Sequence, residues 1–397
     1  MTDLTRESRG NQLGKLKTAG LVTLAAFIAG VAFVQIAVVP KTDAQMNPVR
    51  MHPPYFVSGK VERFHRNLRV ADLHTDTLLW KRDPRERHNY GHADLPRLRE
   101  GGVDLQVFSA VTKSPKGLNF GENSADAPDD ITTLAIAQLW PPRTWGSIYE
   151  RAAYQAQRLQ KLEAEEANDL VIVRTAADMQ IDDGRMLTVL LTEGAHPLEG
   201  KLENIARLKD EGYRIMGLQH FFDNELGGSM HGTSKAGLSE FGREAVLEMR
   251  RQNIIIDLAH SSEQVVRDVL KLTPDPIMIS HGGVLSHCPR TSSRNLPDEL
   301  TKAIAARGGI IGIGYFEGAI CDISPKGIAR ALIDAVAVLG EDAVALGSDF
   351  DGTVETALDT SELAAITQEL VKADMDEDII AKVMGENVYR FLSQNLE

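Results

Sequence analysis

The sequence predicts an α/β protein: a closed (β/α)8 barrel of the TIM type, preceded by an N-terminal transmembrane helix. Three observations carry this. After residue 67, eight apolar runs of strand length alternate with amphipathic segments of helix length. The runs are rich in Val, Ile and Leu, as parallel strands buried on both faces are. No glycine fingerprint follows the first run, which argues against the nearest alternative, an open doubly wound sheet.

In chain order, residues 1–18 form a basic N-terminus, with Arg6, Arg9, Lys15 and Lys17. Residues 19–40 follow, and Ala19 to Val39 carries no charge. At about 1.5 Å per residue, such a helix crosses a hydrocarbon core of about 30 Å. The positive flank keeps residues 1–18 cytoplasmic and sends the remainder outward. The run is long for a signal peptide and "KTDAQM" is a poor cleavage site, so an uncleaved signal anchor is expected over a peptide cut near Ala44. Either way the body of the chain is expected to be exported, periplasmic or extracellular, or secreted after cleavage. Residues 41–66 read as a linker and 67–397 as the barrel.

The barrel runs are "LRVADLH", "GVDLQVFSAV", "MLTVLLTEG", "YRIMGLQH", "NIIIDLAH", "PIMISH", "GGIIGIGYF" and "DAVALGSDF". Segments such as "LENIARLKDEG", "LSEFGREAVLEMRRQ", "SSEQVVRDVLKL" and "PKGIARALIDAVAVLG" separate them, with apolar residues three and four apart. Residues 112–186, between the second and third runs, are an insertion: a Pro/Asn/Asp-rich loop, the aromatic stretch "LWPPRTWGSIY", and the helix "ERAAYQAQRLQKLEAEEA". Long loops at this end of a barrel shape pockets. The segment from "SELAAITQ" to "RFLSQ" reads as a helical cover. A formal net charge of −13 argues against nucleic acid as the main partner.

Polar residues sit where the runs end. The first ends in His74 and Asp76, the third in Glu193, the fourth in His220, the fifth in His260, the sixth in His281, and the eighth in Asp349 and Asp351. In a barrel these ends share one rim. A lone histidine there is usually structural, but four histidines with several carboxylates on one rim call for a compensating metal. Imidazole and carboxylate without thiolate suit zinc at a hydrolytic site. There are ligands for two ions: His74 and Asp76 for one, His260 and His281 for the other, with Glu193 bridging. Two such ions can share a hydroxide and polarise a carbonyl. Asp72 is expected one layer below His74, orienting a ligand. His196 could support the ligands similarly; His231 and His287 are expected to be structural or at the surface.

The chain resembles the membrane dipeptidase family (renal dipeptidase, peptidase family M19). "DLHTD", "TEGAHPLEG", "GLQHFFDNELGGS", "DLAHSS", "ISHGG", "SRNLPDE" and "GSDFDG" occur in order from about residue 67 to the C-terminus. The resemblance implies an amidohydrolase-like barrel with two zincs per chain that cleaves dipeptides regardless of chirality at the C-terminal residue. It implies metal roles for His74, Asp76, Glu193, His260 and His281. It places His220 at the substrate carbonyl, Arg294 at the substrate carboxylate, with Arg290 as a rival, and Asp349 as the catalytic aspartate. A homodimer is also implied by similarity alone. Family members on animal cell surfaces use a C-terminal lipid anchor; this chain ends "RFLSQNLE", with no apolar tail, so the N-terminal helix is expected to replace it.

An exported compartment permits a disulfide between the only two cysteines. Cys288 follows the sixth run and Cys321 the seventh, so their loops share a rim; a Cys288–Cys321 bond is expected, and the resemblance supports it. The expected reaction is hydrolysis of a dipeptide by a metal-bridged hydroxide. Two other readings stand beside it: hydrolysis of another small amide or lactam at the same site, and a non-catalytic, metal-stabilised binding domain.

Overall fold

A computed structural model describes residues 3–289 and 294–397, with side chains from Thr18 onward. All eight predicted runs are strands: β1 (Val70–Thr75), β2 (Val103–Val111), β4 (Met186–Glu193), β5 (Tyr213–Gly217), β6 (Ile255–Asp257), β7 (Met278–Ile279), β8 (Ile310–Ile313) and β9 (Val344–Leu346). Each pairs in parallel with its neighbours, β2 pairs directly with β4, and β9 pairs with β1, so the sheet closes. The fold is an eight-stranded parallel barrel ringed by helices. An unpredicted ninth strand, β3 (Leu170–Ile172), lies inside the insertion and pairs with the first residues of β4. It pairs with β4 alone and adds no strand to the closed barrel.

Serines start several outer helices. Ser239, Ser262 and Ser324 cap the helices Glu240–Arg251, Glu263–Leu272 and Pro325–Leu339, each accepting a backbone N–H from the first turn. Their apolar faces, such as Val265, Val266 and Val269, bury against the strands. Leu105, Val107, Leu187, Val189, Leu191, Ile215 and Ile310 form a second cluster, which Val388, Phe391 and Leu392 of the C-terminal helix Asn387–Asn395 join. Gly312 and Gly347 bring β7, β8 and β9 close together: a Cβ on either would stand 2.1 Å from the Ser280 carbonyl.

The N-terminal helix runs from Asp3 through a π-helical turn at Val34–Val38 to Met46. Its stretch Thr18–Met46 is long and apolar enough to cross a membrane, and its most apolar window is almost bare of protein cover. The end of the helix docks on the barrel. Gln35 donates to the Ala137 carbonyl (2.6 Å), and buried Asp43 pairs with the buried guanidinium of Arg82 (3.0 Å). Cys288 and Cys321, in the loops after β7 and β8, are bonded, with their Cα atoms 5.7 Å apart.

Candidate metal centre

The strand ends converge as the topology requires. β1 delivers His74 and Asp76, with His74 Nε2 3.5 Å from Asp76 Oδ1. β4 delivers Glu193, whose Oε1 stands at the middle of the group. It lies 2.9 Å from Nε2 of His260, 3.5 Å from those of His220 and His281, and 3.7 Å from that of His74. Asp349 Oδ1 is 3.9 Å from His74 Nε2. All of these side chains are buried. Three sets of potential ligand atoms result: His74, Asp76, Glu193; Glu193, His220, His260; and His74, His281, Asp349. Glu193 belongs to the first two.

His260 and Asp349 both have φ of +63°. The left-handed region costs a non-glycine residue about 1–3 kcal/mol and persists only where the surroundings impose it. Here it turns each side chain off its strand direction and into the cavity. It also separates Asp349 from Asp351, which strand alternation would aim the same way. Asp351, also at φ +63°, pairs with Arg82 (2.5 Å) and accepts from Thr77 and the backbone of His92, as a purely structural carboxylate.

The hydrogen bonds fix which ring nitrogens carry protons. His220 Nδ1 meets the Lys113 carbonyl at 3.0 Å; a carbonyl only accepts, so Nδ1 carries the hydrogen and Nε2 of the neutral ring presents a lone pair. Ser280 Oγ donates to Asp257 Oδ2 (2.6 Å) and therefore accepts from His281 Nδ1–H (2.9 Å), leaving a lone pair on His281 Nε2. The His220 lone pair faces the Glu193 carboxylate, acceptor against acceptor, while that of His281 accepts from Arg294 Nη2. Glu193 Oε2, Asp76 Oδ1 and His74 Nε2 are buried without hydrogen-bond partners. Such a set is balanced by cations. The spacing agrees: two nitrogens on one tetrahedral zinc, each about 2.0–2.1 Å from it, stand about 3.3 Å apart, and Nε2 of His260 and His281 are 3.1 Å apart. The serine–carboxylate pair behind His281 is the kind of backing that orients an imidazole ligand; Nδ1 of His74 and of His260 has no hydrogen-bond partner among the described residues.

Burial pulls the His74 imidazolium down, but the Asp76 and Glu193 carboxylates outweigh it and hold the group up at about 10. Burial and the Asp76 charge raise Glu193 well above the carboxylate range. Asp349 is pushed up to about 8, chiefly by burial. Burial holds His220 neutral, down to about 4, and keeps His260 and His281 well below their ordinary value.

Arg294 is buried beside the group, its Nη2 2.9 Å from His281 Nε2. Its rival Arg290 lies outside the described residues. Asp72 accepts from the backbone N–H groups of His74 (2.9 Å) and Ser348 (3.0 Å), tying the tips of β1 and β9 together. A register irregularity between Asp72 and Thr75 breaks the simple alternation there. His196 packs edge-on against Phe222. His231 stacks on Phe221, and His287 pairs with Asp334 (2.8 Å). Sequence reasoning missed Asp257, Ser280 and Lys113. The available signals were a strand-terminating Asp in "IIIDLAH" and a Ser directly before the histidine in "PIMISH".

The group opens into a cavity of about 830 Å³. Leu118, Phe120, Ile131 and Leu134 of the insertion form part of its wall, and Val38, Val39, Thr42, Gln45 and Met46 of the N-terminal helix form another.

The family model for membrane dipeptidase (peptidase family M19) matches residues 59–396. A dipeptidase of Aspergillus oryzae, aclJ, is 27% identical over 352 residues, covering 81% of this chain and 77% of that protein. Among solved structures, a metallopeptidase of Rhodobacter sphaeroides, liganded with a phosphinate mimic of the dipeptide L-Ala-D-Ala, superposes with a TM-score of 0.68. It is 25% identical, covering 83% of this chain and 99% of that one. Dipeptidase AC, a metallopeptidase of family M19, gives the same TM-score at 26% identity, covering 83% and 99%.

Proposed function

The chain belongs to the membrane dipeptidase family, peptidase family M19, and on that premise we propose that it hydrolyses the peptide bond of dipeptides at two zinc ions. His74, Asp76 and Glu193 would hold one ion; Glu193, His260 and His281 would hold the other. The observation that supports this reading is the convergence of Nε2 of His74, His220, His260 and His281 on one oxygen of the buried Glu193 carboxylate, within 2.9–3.7 Å, beside Asp76. Bound there, a zinc pair lowers the pKa of a water toward neutrality and polarises the scissile carbonyl.

The chain supplies the remaining work. Asp349, at the cavity wall, accepts the water's proton and returns it to the leaving amine, as general base and then acid. Arg294 binds the substrate carboxylate, for which a planar guanidinium is suited. His220 lies at the substrate carbonyl. Its Nδ1–H is committed to Lys113, so it stabilises an oxyanion only after taking a second proton at Nε2, which developing negative charge would favour.

The test is zinc content and turnover of L-Ala-D-Ala, L-Ala-L-Ala and Gly-D-Ala by the full chain in detergent, beside Glu193→Gln. The expected result is about two zincs and turnover in the wild type, with both lost in the variant. Two zincs without turnover of any dipeptide would move the activity to another amide. No bound zinc would overturn the site.

A further inference from the structure

The N-terminal helix does not lead away from the barrel. It passes the rim that carries the cavity lined by Asp76, Glu193, His220 and His260, and its last turns are part of that cavity's wall. From Ala19, about twenty helical residues span a hydrocarbon core of about 30 Å and end near Val38. What touches the helix at that level lies at the membrane boundary. Gln35 there donates to the Ala137 carbonyl, and Lys81 hydrogen-bonds Gln35, placing a cation at the same height. Around that contact, large apolar side chains face outward without protein cover: Ile136 is 45% exposed, Leu139 55% and Trp145 39%. The cavity wall from Val38 to Met46 then lies within about 12 Å of the boundary.

We propose that the barrel sits with its catalytic rim against the lipid surface. Ile136, Leu139 and Trp145 seat in the interfacial layer beside the helix, and the cavity takes its substrate from the water layer at the membrane. An amphipathic Trp is at home at that depth, and the burial of apolar area against lipid supplies the attraction. The proposal rests on retention of the helix as an anchor and is independent of which amide is cleaved.

The chain has three tryptophans, of which Trp80 and Trp140 are buried, so a quencher in lipid reads Trp145. The full chain is reconstituted in phosphatidylcholine vesicles with or without bromine on the acyl chains near the headgroups. Emission should fall in brominated lipid, and the fall should be lost in Trp145→Phe. No quenching, or quenching undiminished in W145F, overturns the proposal. A second readout does not depend on that variant. Because the native cysteines are bonded to each other, Leu139→Cys and Lys271→Cys, the latter at the opposite end of the barrel just before β7, each take one environment-sensitive fluorophore. A blue shift on reconstitution at 139 and not at 271 supports the orientation; equal shifts, or none, overturn it. A chain found cut near Ala44 overturns it as well. None of these readings uses turnover, so failure of the dipeptidase reading would be seen separately.

Discussion

Replacing Ser280 with alanine should weaken zinc binding without touching any proposed ligand. Ser280 Oγ accepts from His281 Nδ1–H at 2.9 Å and donates to Asp257 Oδ2 at 2.6 Å. The substitution removes both bonds in a site closed to water. Asp257 keeps two donors, the backbone N–H groups of Ala259 (3.0 Å) and Ser280 (2.9 Å), so the carboxylate stays held while the ring loses its support. One bond to a charged group and one neutral bond together contribute about 2–4 kcal/mol. The part felt at the metal is the tautomer and aim of His281, and loss of such backing costs about 10–100-fold in affinity. The assay is competition for zinc against a chromogenic chelator, with thermal unfolding in parallel. Ser324→Ala is the control, because it removes a helix cap and about 1 kcal/mol of stability far from the centre. Wild-type zinc affinity in Ser280→Ala, or an equal loss in Ser324→Ala, would refute the relay.

Three further outcomes follow from the same geometry. Arg294→Gln should raise KM for a dipeptide by about 10–100-fold, with a smaller change in kcat, since it removes a charged hydrogen bond to the substrate; steady-state kinetics decides. Burial holds His92 down to about 4 against an ordinary 6.5, and its Nδ1 accepts from the Asp351 N–H at 2.8 Å. The native ring therefore binds a proton less tightly than the unfolded one. Its contribution to stability is complete above pH 6.5 and is lost as pH falls toward 4, by about 3 kcal/mol. Urea unfolding at pH 7 and pH 4 should show that loss, and His92→Gln should shrink it. Reduction of Cys288–Cys321, which closes a 33-residue separation, should lower stability by about 3–4 kcal/mol on the loop-entropy estimate. Unfolding with and without a thiol reductant measures it.

The sequence by itself determined the barrel, because eight buried parallel strands alternating with helices leave few other topologies, and strand order then puts every strand's C-terminal end on one rim. It also determined which residue types stand there, since His74, Glu193, His260 and His281 each end an apolar run. It did not determine how they turn. His260 and Asp349 reach the cavity through left-handed backbone that no periodicity encodes. Asp349 and Asp351 share a strand end, yet one lines the cavity and the other is locked to Arg82. The proton positions on His220 and His281 depend on the Lys113 carbonyl and the Ser280–Asp257 pair, which come from other strands and loops. The docking of the N-terminal helix against the catalytic rim was equally hidden, because Gln35 meets Ala137, and Asp43 meets Arg82, only after the insertion and the loop beyond β1 have folded. Local pattern reports which face of an element is buried; what a buried polar atom meets there is decided by chain that is remote in sequence.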